Sequence, residues 1–160
     1  MAEQPLRLAA EDAEDITVLS ACLQDAALRL TDISWDKRQR RFALLLSRFR
    51  WEEPAAPHGA YDGPERRRPS RIASGLHFDG VLKVTAQGID QADKARVLEL
   101  LAIACEPGHD GAARLDLIFS GDASIRLEVE CIDAQLKDIG QPFSVRHRPE
   151  HKLAADETKT

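Results

Sequence analysis

One hundred and sixty residues, 43% apolar and 31% charged, suit a single globular domain with a real core and leave little room for two. No apolar run approaches the ~18 residues of a membrane span. The acidic start MAEQPLRLAAEDAED lacks the basic-then-apolar layout of a secretory signal, so no membrane partner and a cytoplasmic location are expected. The net charge of −5 hides a basic middle: residues 27–71 carry eleven Lys/Arg against six Asp/Glu, and the segments on either side are each net −5.

In chain order, Leu6 and Leu8 suggest a short edge strand or an anchor. Residues 12–26 read as a helix with the stripe Ile16, Leu19, Leu23 and Ala26, and Cys22 beside it. Asp12 suits its N-cap, and Glu14 and Asp15 lie where the helix dipole favours negative charge. Leu28 to Trp35 and Arg41 to Trp51 read as two strands joined by the polar tract 36–40. In the second, Phe42, Leu44 and Leu46 share one face, while Ala43, Leu45, Phe49 and Trp51 lie mainly on the other. A strand apolar on both faces is expected to be central or to be covered by a helix, the N-terminal one being at hand.

Residues 52–74 interrupt the pattern with four prolines and two glycines and end in Glu65-Arg66-Arg67-Arg68-Pro69-Ser70-Arg71. They are expected to form a long loop leaving a hairpin-like connection. Beyond it, Leu76 and Phe78 start a strand that bends at Asp79-Gly80 and continues through residues 81–86. Val97 to Cys105 is apolar on both faces; Pro107-Gly108 and its antiparallel surroundings favour a strand over a helix. Leu115, Leu117 and Phe119 make another strand, as do Ile125, Leu127, Val129 and Cys131, which alternate with Arg126, Glu128 and Glu130. The spacing Ile132, Leu136, Ile139, followed by Gly140 and Pro142, predicts a terminal helix with a glycine stop.

The expected fold is therefore α+β. A mostly antiparallel, strongly bent sheet of about six to seven strands carries an N-terminal and a C-terminal helix, in either a pleckstrin-homology-like arrangement or a plain sheet with both helices on one face. Residues 1–149 form one domain and residues 150–160 a flexible tail. The three cysteines, Cys22, Cys105 and Cys131, are widely spaced inside apolar patterns and read as buried free thiols.

The chain offers little that is recognisably catalytic. Its cysteines form no CxxC, its only close histidine pair is His147 and His151 in the polar tail, and no phosphate-binding glycine loop or nucleophile elbow occurs. No metal, cofactor or catalytic residue is assigned. His77 and Asp79 share a strand face and form a pair able to orient a proton, although a solvated strand with a turn-forming Asp accounts for them too. Arg38, Arg40, Arg66, Arg67, Arg68 and Arg71 are the leading binding candidates. Trp35, Trp51 and Tyr61 are interleaved with them, and aromatic rings among arginines can stack on unpaired bases. Against a nucleic-acid role stands a pI near 5.5.

Several segments resemble a known family. Cys22-Leu23-Gln24-Asp25-Ala26, Arg41-Phe42-Ala43-Leu44, Glu65-Arg66-Arg67-Arg68, Leu76-His77-Phe78-Asp79 and Ile125-Arg126-Leu127-Glu128-Val129-Glu130-Cys131-Ile132 are similar to short alphaproteobacterial proteins grouped as a domain of unknown function of the DUF2948 type. The resemblance runs to about residue 149 and implies a single bacterial cytosolic domain. It implies no activity, ligand or catalytic residue. The functional expectation is a non-enzymatic protein-binding or adaptor module. RNA or other polyanion binding through residues 37–71 is the first alternative, and an enzyme of unfamiliar chemistry the second.

Overall fold

The structure, a computed structural model, describes residues 5–52 and 70–143. Ten strands form one antiparallel sheet: β1 (Arg7–Ala10), β2 (Ala26–Arg29), β3 (Ile33–Asp36), β4 (Arg41–Phe49), β5 (Arg71–Phe78), β6 (Val81–Gln87), β7 (Val97–Pro107), β8 (Ala113–Phe119), β9 (Ala123–Val129) and β10 (Ala134–Phe143). Among the described residues the only α-helix is α1 (Ala13–Cys22), and a 3-10 turn, Leu30–Asp32, separates β2 from β3.

This corrects the expected α+β layout of six to seven strands with two helices. The terminal helix is absent, because residues 134–143 are β10, and with it go both the pleckstrin-homology-like arrangement and the plain sheet with two helices on one face. The physical reason is Asp138. Ala134, Leu136 and Asp138 all point into the protein, alternating with exposed Gln135 and Lys137. A carboxylate on the buried face hides the period of two and leaves the three-to-four spacing of Ile132, Leu136 and Ile139 as the visible signal. Gly140, read as a helix stop, instead takes a positive φ of 79° inside a bulge. Ile139 faces Ala73, and the next partner pair is Phe143 with Arg71.

The helix is also shorter than its stripe. Asp12 caps it as expected, its side chain accepting from the Asp15 amide at 2.8 Å. The chain leaves the helix at Leu23, turns at Asp25 with φ 66°, and enters β2 at Ala26. The helix packs chiefly on β7 and β1. Where β7 bulges at Leu101, Ser20 Oγ accepts the Ile103 amide at 2.9 Å. The expected single strand from Leu28 to Trp35 is broken by the 3-10 turn. β5 begins at Arg71, so residues 71–74 belong to a strand and not to the expected loop.

The strand order is β1-β10-β5-β4-β2-β7-β8-β9-β6, with β3 also paired to β4. β6 continues β5 across the Asp79-Gly80 bend, and β9 leads into β10 beside it. The Glu130 amide donates to the Gly80 carbonyl at 2.9 Å and the Asp79 amide to Asp133 at 2.9 Å, carrying the pairing through the bend. β10 and β5, near one end of the order, are thus continuous with β9 and β6 at the other, and the sheet curls toward a barrel. Its inner face holds the core, with Phe42, Phe78, Phe119, Leu115, Leu117 and Leu127 packed together with Ile16, Leu19 and Leu23 of the helix region.

Candidate functional site

β4, β5 and β10 lie side by side, and each carries one polar residue on its apolar inner face, at the end of the stripe in β4 and β10 and within it in β5. The stripe Phe42, Leu44, Leu46 ends at Arg48; Ser74 interrupts Ile72, Leu76 and Phe78; Asp138 follows Ala134 and Leu136. Register places Ser74 opposite both Leu46 and Asp138, so Arg48 reaches diagonally across β5 to the carboxylate. Arg48 Nε and Nη2 donate to the two oxygens of Asp138 at 2.8 Å each. Nη1 and Nη2 donate to Glu52 at 3.0 and 2.7 Å, and Nη1 also to the Phe49 carbonyl at 3.0 Å. All five guanidinium donors are spent.

Asp138 accepts two further bonds, from Ser74 Oγ at 2.8 Å and from the Leu6 amide at 3.0 Å. Burial works against charge on both groups, but the mutual hydrogen bonds outweigh it. They hold the Arg48 pKa above its ordinary value and that of Asp138 below its own. Glu52 is likewise lowered, chiefly by its hydrogen bonds from Arg48. Cys22 lies near this cluster with its thiol pKa raised, first by burial, so the arginine does not make it a thiolate nucleophile. The cluster is a closed lock that sets the register of three strands. Sequence reading counted Arg48 with the basic segment; its place at the end of an alternating apolar stripe was the available signal.

With the inner face locked, the outer face of the same strands is fixed. Partner residues across the strands form three rows: Leu45, Gly75 and Lys137; Ser47, Ala73 and Ile139; Phe49, Arg71 and Phe143. Gly75 lets the Ile139 side chain lie over the sheet, since a Cβ there would meet Ile139 Cδ1 at 3.4 Å. Trp51 stands beside Phe49 with ring centroids 5.2 Å apart, its indole N–H held by the Gln24 carbonyl at 3.1 Å. Leu45, Trp51, Ile139 and Phe143 are 44–49% exposed. The apolar second face of β4, legible in the sequence, is central as expected but is not covered by the helix.

The predicted site residues divide between the two ends of the β4–β5 ladder. Arg38 and Arg40 sit on the turn before β4, where Arg40 lies 3.6 Å from Glu130. Arg71 faces Phe49 at the far end of β4, roughly 25 Å away by strand rise. Its guanidinium stacks 4.1 Å from the Phe49 ring and donates to Ser47 Oγ at 3.0 Å and to the Ser47 carbonyl at 3.1 Å. Arg66, Arg67 and Arg68 lie outside the described residues, as do Tyr61, His147 and His151.

His77 and Asp79 do come together, at the β5–β6 bend. Arg41 clamps Asp79 through Nε at 2.7 Å and Nη2 at 3.2 Å, and this hydrogen bonding holds the Asp79 pKa below its ordinary value. His77 Nδ1 lies 3.4 Å from Asp79 Oδ2, outside hydrogen-bond geometry, and no described group satisfies it. A carboxylate clamped by arginine is a weak base, and no described Ser, Thr or Cys hydroxyl or thiol hydrogen-bonds to the pair.

On the outer face of β8 and β9, Arg126 pairs with Asp116 at 2.8 Å and Arg114 with Glu106 at 2.9 Å, a solvated charge ladder. Among the described residues no group of three or more His, Cys, Asp or Glu side chains is placed to hold a metal ion. No described helix is long and apolar enough to cross a membrane. The cysteines are free, but not all buried as expected: Cys22 and Cys105 are partly buried and Cys131, in the turn after β9, is exposed.

Comparison with known proteins gives one relationship. A family model for proteins of unknown function (DUF2948) matches residues 6–151, and the chain belongs to that family. No curated protein and no solved structure matches it.

Proposed function

We propose that this member of the DUF2948 family is a binding module whose partner is another protein, seated on the outer face of β4, β5 and β10. The carrying observation is the exposed apolar surface of Leu45, Ile139, Phe143 and Trp51. Single exposed apolar side chains are ordinary on protein surfaces; several grouped on one face of one sheet mark an interaction surface. The lock of Arg48, Ser74 and Asp138 on the reverse side holds this face rigid, which lowers the ordering cost of binding. Trp51, Phe143 and Arg71 on this face are of the residue types enriched in protein interfaces.

Affinity capture from the native cell extract, at low and high salt, tests this reading with the wild type and a Leu45→Glu, Ile139→Glu double variant. One defined protein retained at high salt by the wild type and lost by the variant is the expected result. Captured nucleic acid that washes off with salt and disappears in an Arg66→Ala, Arg67→Ala, Arg68→Ala variant would overturn it in favour of polyanion binding.

A further inference from the structure

We infer that the open seam between β3 and β6 is a binding site for a small amphipathic anion, a molecule with a compact apolar body and one acidic head group. The sheet curls toward a barrel but does not close there: among the described strands β3 pairs only with β4, and β6 only with β9. One end of the seam is tied by the Val81 amide donating to the Arg40 carbonyl at 3.0 Å. At the other, the segment between β6 and β7 folds over, with the Leu30 amide bonded to the Arg96 carbonyl at 3.3 Å and Arg96 Nη1 to the Gly88 carbonyl at 2.7 Å.

Between these ties lies a cavity of about 320 Å³. Phe42 and Ile125 come up from the core as its floor, and Trp35 and Val84 line its sides. Ala86, on the same strand face as Val84, is exposed because the barrel wall is missing opposite it. Lys94 stands on the rim and has no ion-pair partner among the described residues. A cleft walled mainly by apolar side chains, with Gln91 and the unpaired cation of Lys94 on its lining, is complementary to a molecule that buries a hydrophobic body and leaves an acid at the edge.

Size and closure narrow the occupant. The cavity is at the small end of ligand pockets, which suits a single ring or short chain and excludes a dinucleotide or a two-chain lipid. An extended peptide pairing with both edges would need β3 and β6 about 10 Å apart along their length, and the Val81–Arg40 bond forbids that at one end.

The test is a titration of the isotopically labelled full chain, followed by amide NMR shifts, with 4-phenylbutyrate and with uncharged 4-phenylbutanol. Saturable shifts confined to residues 30–35, 84–94 and 125, with the acid binding more tightly, are expected. Lys94→Gln should weaken the acid by roughly fivefold, toward the alcohol. Ala86→Phe, which fills the seam from an exposed position, should abolish binding of both while the rest of the spectrum is kept. No saturable shift with either probe, shifts centred elsewhere, or an unchanged acid affinity in Lys94→Gln would overturn the assignment.

Discussion

Arg48 shows how one residue can decide the character of a surface it does not touch. Its side chain has no exposure, and it meets carboxylates from two other parts of the chain, Asp138 and Glu52. Replacing one member of a buried, fully hydrogen-bonded pair strands the other charge, which costs about 3–5 kcal/mol, whereas replacing both by apolar groups of similar volume is often near neutral. Arg48→Met should therefore destabilise the protein by that amount in urea unfolding, and Arg48→Met with Asp138→Leu should recover most of the loss. The pH dependence carries a definite sign. Folding lowers the Asp138 pKa below its ordinary 3.8, so its contribution is complete above the unfolded value and is lost as pH falls through the folded one. The stability gap between wild type and Asp138→Asn should be flat near neutrality and narrow below about pH 4. A gap that stays constant into acid would show that the carboxylate is not held by this pairing.

At the scale of elements, the difference between β10 and β6 is one of edges. β10 runs between β1 and β5, so residues 134–137 have ladder partners on both sides. β6 has a partner on one side only, β9, and turns its other edge to the seam. Amide hydrogen exchange should find every residue of 134–137 protected, and an alternating pattern of slow and fast amides along 81–87. Uniform protection of β6 would mean that the seam is closed.

The same two strands mark what was legible in the sequence. Where alternation was clean, as in Leu115, Leu117, Phe119 or Ile125, Leu127, Val129, the strands fall where the pattern put them. Asp12 as the N-cap and Val97–Cys105 as a strand were equally readable. β10 was not, because its buried Asp138 is explained only by Arg48, 90 residues away. Pattern reading assumes that charge points outward, and it fails where a distant partner makes burial tolerable. The outer-face patch was half legible: the apolar second face of β4 was visible, but that no described element covers it was a matter of topology. The seam was not legible at all, since Trp35, Val84 and Lys94 come from separate elements that only the closing curl of the sheet brings together.

For the molecule as a whole, the basic middle of the chain is not one patch among the described residues. Arg48 is buried, Arg71 packs on Phe49, Arg41 clamps Asp79, and Arg38 and Arg40 sit on a turn at the other end of the ladder from Arg71. What the fold does gather is apolar surface, on the outside of β4, β5 and β10, while β8 and β9 turn a ladder of salt bridges outward. The two outer faces thus offer a built-in comparison within one protein. A photo-crosslinking side chain placed in the cell at Leu45, and separately at Ser124 on β9, would test the docking account most directly. A discrete protein adduct from position 45, absent from position 124 and lost when Ile139→Glu is added, is the predicted result. Equal adducts from both positions, or none from position 45, would contradict it.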